Sequence, residues 1–215
     1  MSIRATAFAF CLLATAAVAG ETRIVSTTGG GKTVISTTER REVADPSGLR
    51  IEEISDEESV TTLLAEDGTA KSVEVAAKDG GTALMVCDGS GVDVSGIWRG
   101  KPVKARCDLQ GGRFYGRSFG LAARAFAKGG FKSLEFAYIR LDKPSKAMIM
   151  QLQPEGPAEF KGRRAAKVKL SPAGALSVFW KAHLLVDEEG NILRFEGNLG
   201  PGTPDFVSEL VEVRP

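Results

Sequence analysis

Apolar and polar positions alternate with a period of two along most of this chain, most clearly over residues 165–213. Four strands are predicted there, at 165–170, 176–186, 192–198 and 206–213. In the second, Val178, Trp180, Ala182, Leu184 and Val186 share one face; Ser177, Phe179, Lys181, His183 and Leu185 share the other. Successive side chains of a strand point to opposite faces, so the first set is expected in a core and the second half-buried. Asp187-Glu188-Glu189-Gly190-Asn191 turns the chain, with Gly190 free to take positive φ. Ile192, Arg194 and Glu196 then alternate with Leu193, Phe195 and Gly197.

The same rhythm runs through the first half. Residues 22–28 and 32–43 are rich in Thr, Val and Ile and are separated by Gly29-Gly30-Gly31, which predicts a hairpin. Strands follow at 49–54, 59–66, 69–77, 82–88, 92–99 and 103–109. Asp-Gly, Gly-Gly and Gly-Ser-Gly turns divide them. Turns at such short spacing predict an antiparallel meander curled into a half-barrel or barrel. Gln110-Gly111-Gly112 breaks the rhythm and leads to the one predicted helix, 118–128. Ser118 can cap its start, and Leu121, Ala122, Ala125 and Phe126 form an apolar stripe. Lys128 suits the C-terminal dipole, and Gly129 can end the helix in a left-handed turn. One helix among many strands is expected to pack across the sheet and cover part of its concave side. Beyond it, strands are predicted at 131–141 and 147–153, with a turn at Pro154-Glu155-Gly156-Pro157. The chain reads as one β-rich domain over 20–215.

Residues 1–19 read differently. Arg4 is their only charge, an apolar run follows, and Ala17-Val18-Ala19 offers small residues at a peptidase site. This pattern predicts a secretory signal peptide cleaved after Ala19. The run is shorter than the roughly 20 residues of a membrane span, so no span is expected after cleavage. Losing Arg4 leaves basic and acidic residues equal in number. That balance calls for neither nucleic acid nor a membrane surface. Cys87 and Cys107 then remain, and in an oxidising compartment the pair predicts a structural disulfide, worth about 3 kcal/mol.

Several motifs point to chemistry. Gly31-Lys32-Thr33 resembles part of a phosphate-binding loop, but position 26 is Ser where that loop needs Gly. Gly116-Arg117-Ser118-Phe119-Gly120 fits a nucleophile elbow, with His183 downstream as base and Asp142 as a possible acid. The polar, glycine-rich approach to Ser118 and the missing βαβ alternation argue instead for Ser118 as a helix cap. His183 is the only histidine, so no protein-built metal site is expected and no cofactor is implied. Between Glu39 and Asp67 there are ten acidic and three basic residues; between Trp98 and Lys146 there are twelve basic and three acidic. The basic segment is either a surface for an anionic headgroup or acidic partner, or ordinary strand faces pairing with the acidic segment. Aromatics gather around it. Trp98, Phe114, Tyr115, Phe119, Phe126, Phe136, Met148, Met150 and Trp180 are the candidate ligand-contacting set, and they equally suit an ordinary core.

Three features of the last third occur together: Phe160-Lys161-Gly162-Arg163-Arg164-Ala165, then Val178-Phe179-Trp180, then Val186-Asp187-Glu188-Glu189-Gly190-Asn191-Ile192-Leu193-Arg194-Phe195. This succession resembles the C-terminal half of uncharacterised exported β-rich proteins of Gram-negative bacteria. Those in turn resemble, at fold level, the half-barrels of periplasmic lipoprotein carriers. The resemblance implies a periplasmic location and supplies no catalytic residue. The function expected first is non-enzymatic binding or carriage of an apolar or lipid-like ligand on a concave sheet. The alternatives are an envelope interaction or scaffolding protein with a filled core, and an esterase using Ser118 and His183.

Overall fold

The computed structural model describes residues 18–28, 33–178, 180–198 and 205–214. The residues around the triple glycine, 29–32, and most of the expected signal segment lie outside that set.

The described strands form a single sheet. In chain order they are Val18–Thr28 (β1), Thr33–Asp45 (β2), Gly48–Ser55 (β3), Glu58–Leu64 (β4), Ala70–Ala77 (β5), Thr82–Cys87 (β6), Gly91–Trp98 (β7) and Lys101–Asp108 (β8). After the two-residue Arg113–Phe114 (β9) and the helix Phe119–Gly129 (α1) come Leu134–Ile139 (β10), Ala147–Phe160 (β11), Arg163–Pro172 (β12), Ala182–Val186 (β13), Ile192–Gly197 (β14) and Phe206–Arg214 (β15). The spatial order is β8-β7-β6-β5-β4-β3-β2-β1-β15-β14-β13-β12-β11-β10-β9. Nearly every strand pairs antiparallel with its neighbour in sequence, as short turns dictate. Two joints differ: β1 pairs antiparallel with β15, and β9 runs parallel to β10.

The sheet is open between β8 and β9, at mid-chain, which makes it a curled half-barrel as the turn spacing predicts. Its curl brings the two sides of the gap near each other. Buried Cys107 of β8 and half-buried Ala147, at the start of β11, belong to the same apolar cluster. Gly112, between the edges, lies so close to both that an added Cβ would sit 3.0 Å from the Leu109 oxygen and 3.5 Å from Ile149 Cδ1. The exposed Lys101, Pro102, Lys104 and Arg106 of β8 discourage pairing with another chain's edge.

The core lies on the concave side. Ile51, Val73, Val75, Met85, Val94, Met150, Leu152, Leu170 and Leu184 are fully buried there with Phe114, Tyr115 and Phe136. Helix α1 adds Leu121, Ala122, Ala123 and Phe126 to this core. Burying Leu121 and Phe126 stabilises by about 1.5–3 kcal/mol each. A smaller cluster of Phe160, Leu193 and Leu210 closes the joint where β14 and β15 meet β1.

The helix is held differently on its two sides. Toward β13–β14, Gly190 sits against its backbone: an added Cβ would lie 2.4 Å from Arg124 Cα. Gly190 also has φ +87°, which only glycine adopts cheaply. Toward β2–β4 the contacts are polar. Arg117 Nη1 donates to both Glu58 carboxylate oxygens at 3.1 Å, Ser118 Oγ to Glu53 Oε1 at 3.0 Å, and Arg124 Nη1 to Glu42 Oε1 at 2.6 Å. The acidic segment and the basic segment of the sequence therefore meet inside the half-barrel.

The structure corrects four local expectations. Residues 176–186 are not one strand: Gly174–Val178 forms a 3-10 turn and the strand begins at Ala182. Pro172 has no N–H for a ladder, and Gly174 takes φ +70°, so the chain turns there instead of extending. Pro154–Pro157 is not a turn. β11 runs through it, with a bulge between Pro154 and Gly156 that leaves Glu155 unpaired in the ladder. The helix ends one residue later than expected: Gly130, φ +58°, makes the left-handed cap, while Gly129 leaves room for the Phe131 ring. Finally, Cys87 and Cys107 are free. Both pair with Val92 of the strand between them, Cys87 from β6 and Cys107 from β8. Two strand spacings, about 10 Å, separate them, whereas a disulfide needs Cα atoms within about 7 Å.

Two measurements test this architecture. Gly190→Ala is expected to destabilise the fold by about 2–4 kcal/mol, read as a lowered urea midpoint. Native alkylation should label half-exposed Cys87 before Cys107, which is buried and whose thiol burial pushes above its ordinary pKa. Reducing agent should leave the melting temperature unchanged.

Candidate functional site

Two cavities flank α1. The larger, 570 Å³, lies where the β2–β3 and β4–β5 turns meet the C-terminal half of the helix. Leu49, Leu64, Leu121, Ala125 and Phe131 give it apolar walls; Tyr115 lies deeper, and Arg113, Arg124, Lys128, Glu66 and Asp67 supply charge. The smaller, 220 Å³, lies at the helix start, against β14, β15 and β1. Phe119, Phe195 and Phe206 line it beside Arg40, Glu53 and Ser118. Phe119 stacks on Phe195 with centroids 6.4 Å apart, and Phe195 on Phe206 at 5.1 Å.

The charges of the larger cavity are unevenly committed. Arg124 is held by Glu42. Asp67 accepts from the Thr69 hydroxyl at 2.6 Å and the Thr69 N–H at 2.9 Å, which holds its carboxyl below the usual pKa. Arg113 lies over the Phe131 ring, 5.9 Å from its centroid. The neighbouring Tyr115 oxygen raises the Arg113 pKa further. Lys128, on the last helical turn, is exposed, and no ion pair engages it among the described residues.

The candidate ligand-contacting residues separate on this map. Tyr115 lines the larger cavity and Phe119 the smaller. Phe114, Phe126, Phe136 and Met150 are buried core. Trp98 lies under the Arg117 guanidinium, 5.6 Å from centroid to Cζ. The Trp180 indole donates to the Asn198 carbonyl at 2.9 Å. Met148 is exposed at 38%. Arg113 and Lys128 are not in the set that the sequence suggests, whereas Phe131 belongs to the aromatic cluster around its basic segment. The only trace of the two cations there is the basic, aromatic-rich composition of residues 98–146.

The esterase alternative fails on geometry. Ala182, Leu184 and Val186 face the core, so the intervening His183 faces outward, where its Nδ1 lies 2.8 Å from Glu155. Ser118 is inside, on the other side of the sheet. Its backbone is unstrained, at φ −91° and ψ 125°. Its hydroxyl caps the helix by accepting from the Gly120 N–H at 3.2 Å, and its proton goes to Glu53. The strained turn and adjacent imidazole that activate a serine are missing. No group of three potential metal ligands occurs among the described residues. No described helix is long and apolar enough to cross a membrane.

No protein-family model matches the chain, and no curated protein matches it. Solved structures do. A β-barrel-like protein of the domain of unknown function DUF1849 from Brucella abortus is 10% identical. It aligns over 90% of this chain and 96% of its own, with a TM-score of 0.56. An outer membrane lipoprotein-sorting protein domain from Vibrio parahaemolyticus aligns over 91% of this chain and 84% of its own at 10% identity, with a TM-score of 0.24. A DUF1329 family protein from Desulfovibrio piger aligns over 94% and 86%, also at 10% identity, with a TM-score of 0.26. By the first of these, this chain shares its fold with a β-barrel-like protein of a domain of unknown function, as the resemblance in its last third implies.

Proposed function

We propose that the protein is an exported, periplasmic, non-enzymatic carrier whose apolar or lipid-like ligand lies between α1 and the β3–β4 wall. The observation that carries this reading is the 570 Å³ cavity with apolar walls, the larger of the two that flank the helix. Its volume falls in the range of about 300–1,000 Å³ typical of small-ligand sites. Export rests on the pattern of residues 1–19, and cleavage after Ala19 leaves Gly20 at the N-terminus. The competing reading is an envelope interaction protein. It draws support from Leu84, Val86 and Ile97, which are 41–52% exposed on the outer face of β6 and β7.

The test is native extraction followed by mass spectrometry for bound lipid, with displacement of the neutral apolar dye Nile red. A co-purified single-chain lipid is expected. Ala125→Trp fills the cavity from the helix side and should weaken dye binding about tenfold or more while shifting stability by less than about 1.5 kcal/mol. Absence of both lipid and displaceable dye would favour the interaction protein.

A further inference from the structure

We infer that the larger cavity takes the anionic, oxygen-bearing head of a single-chain amphiphile, a carboxylate or a phosphate monoester, with Tyr115 and Arg113 as the head-binding pair. This rests on the carrier reading and names the chemistry of its ligand. Tyr115 is only 1% exposed and lines the cavity, yet its hydroxyl has no hydrogen-bond partner. Buried hydroxyls are nearly always paired, because desolvating one without a partner is costly. Arg113, its neighbour in the cavity, does not solve the problem: a guanidinium carries donors only and cannot accept the phenol proton.

The remaining groups do not solve it either. Asp67 is bonded by Thr69, and Arg124 by Glu42. Glu66 is exposed and bonds neither Tyr115 nor Arg113. Arg113 and Lys128 both lack a salt-bridge partner among the described residues, and Arg113 is kept at the cavity by the Phe131 ring beneath it. The site thus presents a buried phenol whose proton has no acceptor, an exposed guanidinium beside the phenol oxygen, and an exposed ammonium, all next to apolar walls. A ligand that brings two or three acceptor oxygens and one negative charge completes it, since charge-assisted bonds to such oxygens are the strong ones. The apolar walls Leu49, Leu64 and Leu121 accommodate the chain behind the head.

The experiment uses the processed full chain, stripped of lipid and loaded with Nile red, with laurate, dodecyl phosphate and dodecanol as competitors. Laurate or dodecyl phosphate should displace the dye at a concentration at least about tenfold below that of dodecanol. Whichever acid is stronger identifies the source as a fatty acid or a phosphate headgroup. Tyr115→Phe keeps the ring and should cut the preference for the acid by about tenfold, leave dodecanol unchanged, and not lower the melting temperature. Arg113→Gln should act in the same direction. Equal displacement by dodecanol, or a full preference retained in Tyr115→Phe, overturns the head assignment and points to a bound water as the phenol's partner. If none of the three competes although lipid co-purifies, the assignment fails and carriage stands. If no lipid co-purifies either, the carrier reading itself fails.

Discussion

A long meander that curls this far has an inner face to fill, and that requirement governs the molecule. Fifteen strands in one sheet present far more apolar surface on the concave side than the strands can cover themselves. Helix α1 is the only described α-helix available to cover it. It follows β9 and leads into β10, so it is the crossover that joins this parallel pair at one side of the gap. The helix is therefore the plug of the half-barrel, set across its concave side.

The plug is fastened by two kinds of contact. Against β13–β14 it is close backbone approach, made possible by the missing side chain of Gly190. Against β2–β4 it is a row of part-buried ion pairs and a capped serine, running from Arg117–Glu58 through Ser118–Glu53 to Arg124–Glu42. Charged pairs hold groups in place but do not fill volume as interlocking methyl groups do. Both cavities lie where that polar seam gives way to apolar packing, one at each end of the helix. The two cavities follow from fastening the helix by charge on one side and by contact on the other.

The thiols follow from the same topology. A pair of cysteines separated by one intervening strand sits face to face with Val92 and not with each other. Residue spacing along the chain makes a bridge attractive; the extra strand between them forbids it. Ser118 and His183 part company for a related reason, since one-residue alternation in β13 puts the histidine on the outside as surely as it puts Leu184 inside.

Read alone, the sequence determined what is local. The period-two alternation gave the strands, and glycine and aspartate clusters gave their turns. Ser118 marked the start of the helix and Lys128 its last turn. Each of these depends on a residue and its near neighbours. The opposed charge of residues 39–67 and 98–146 also hinted at a pairing, but not at its place. Tertiary structure decided the rest: that β1 pairs with β15, that the sheet opens between β8 and β9, and that Pro154 to Pro157 is carried by a bulge. It also decided that Tyr115 and Arg113, two residues apart on a polar stretch, would share a cavity with Leu49, Leu64 and Phe131. A core residue and a cavity residue can be the same amino acid in the same local pattern. Only the packing of distant segments determines whether the space beside it is filled.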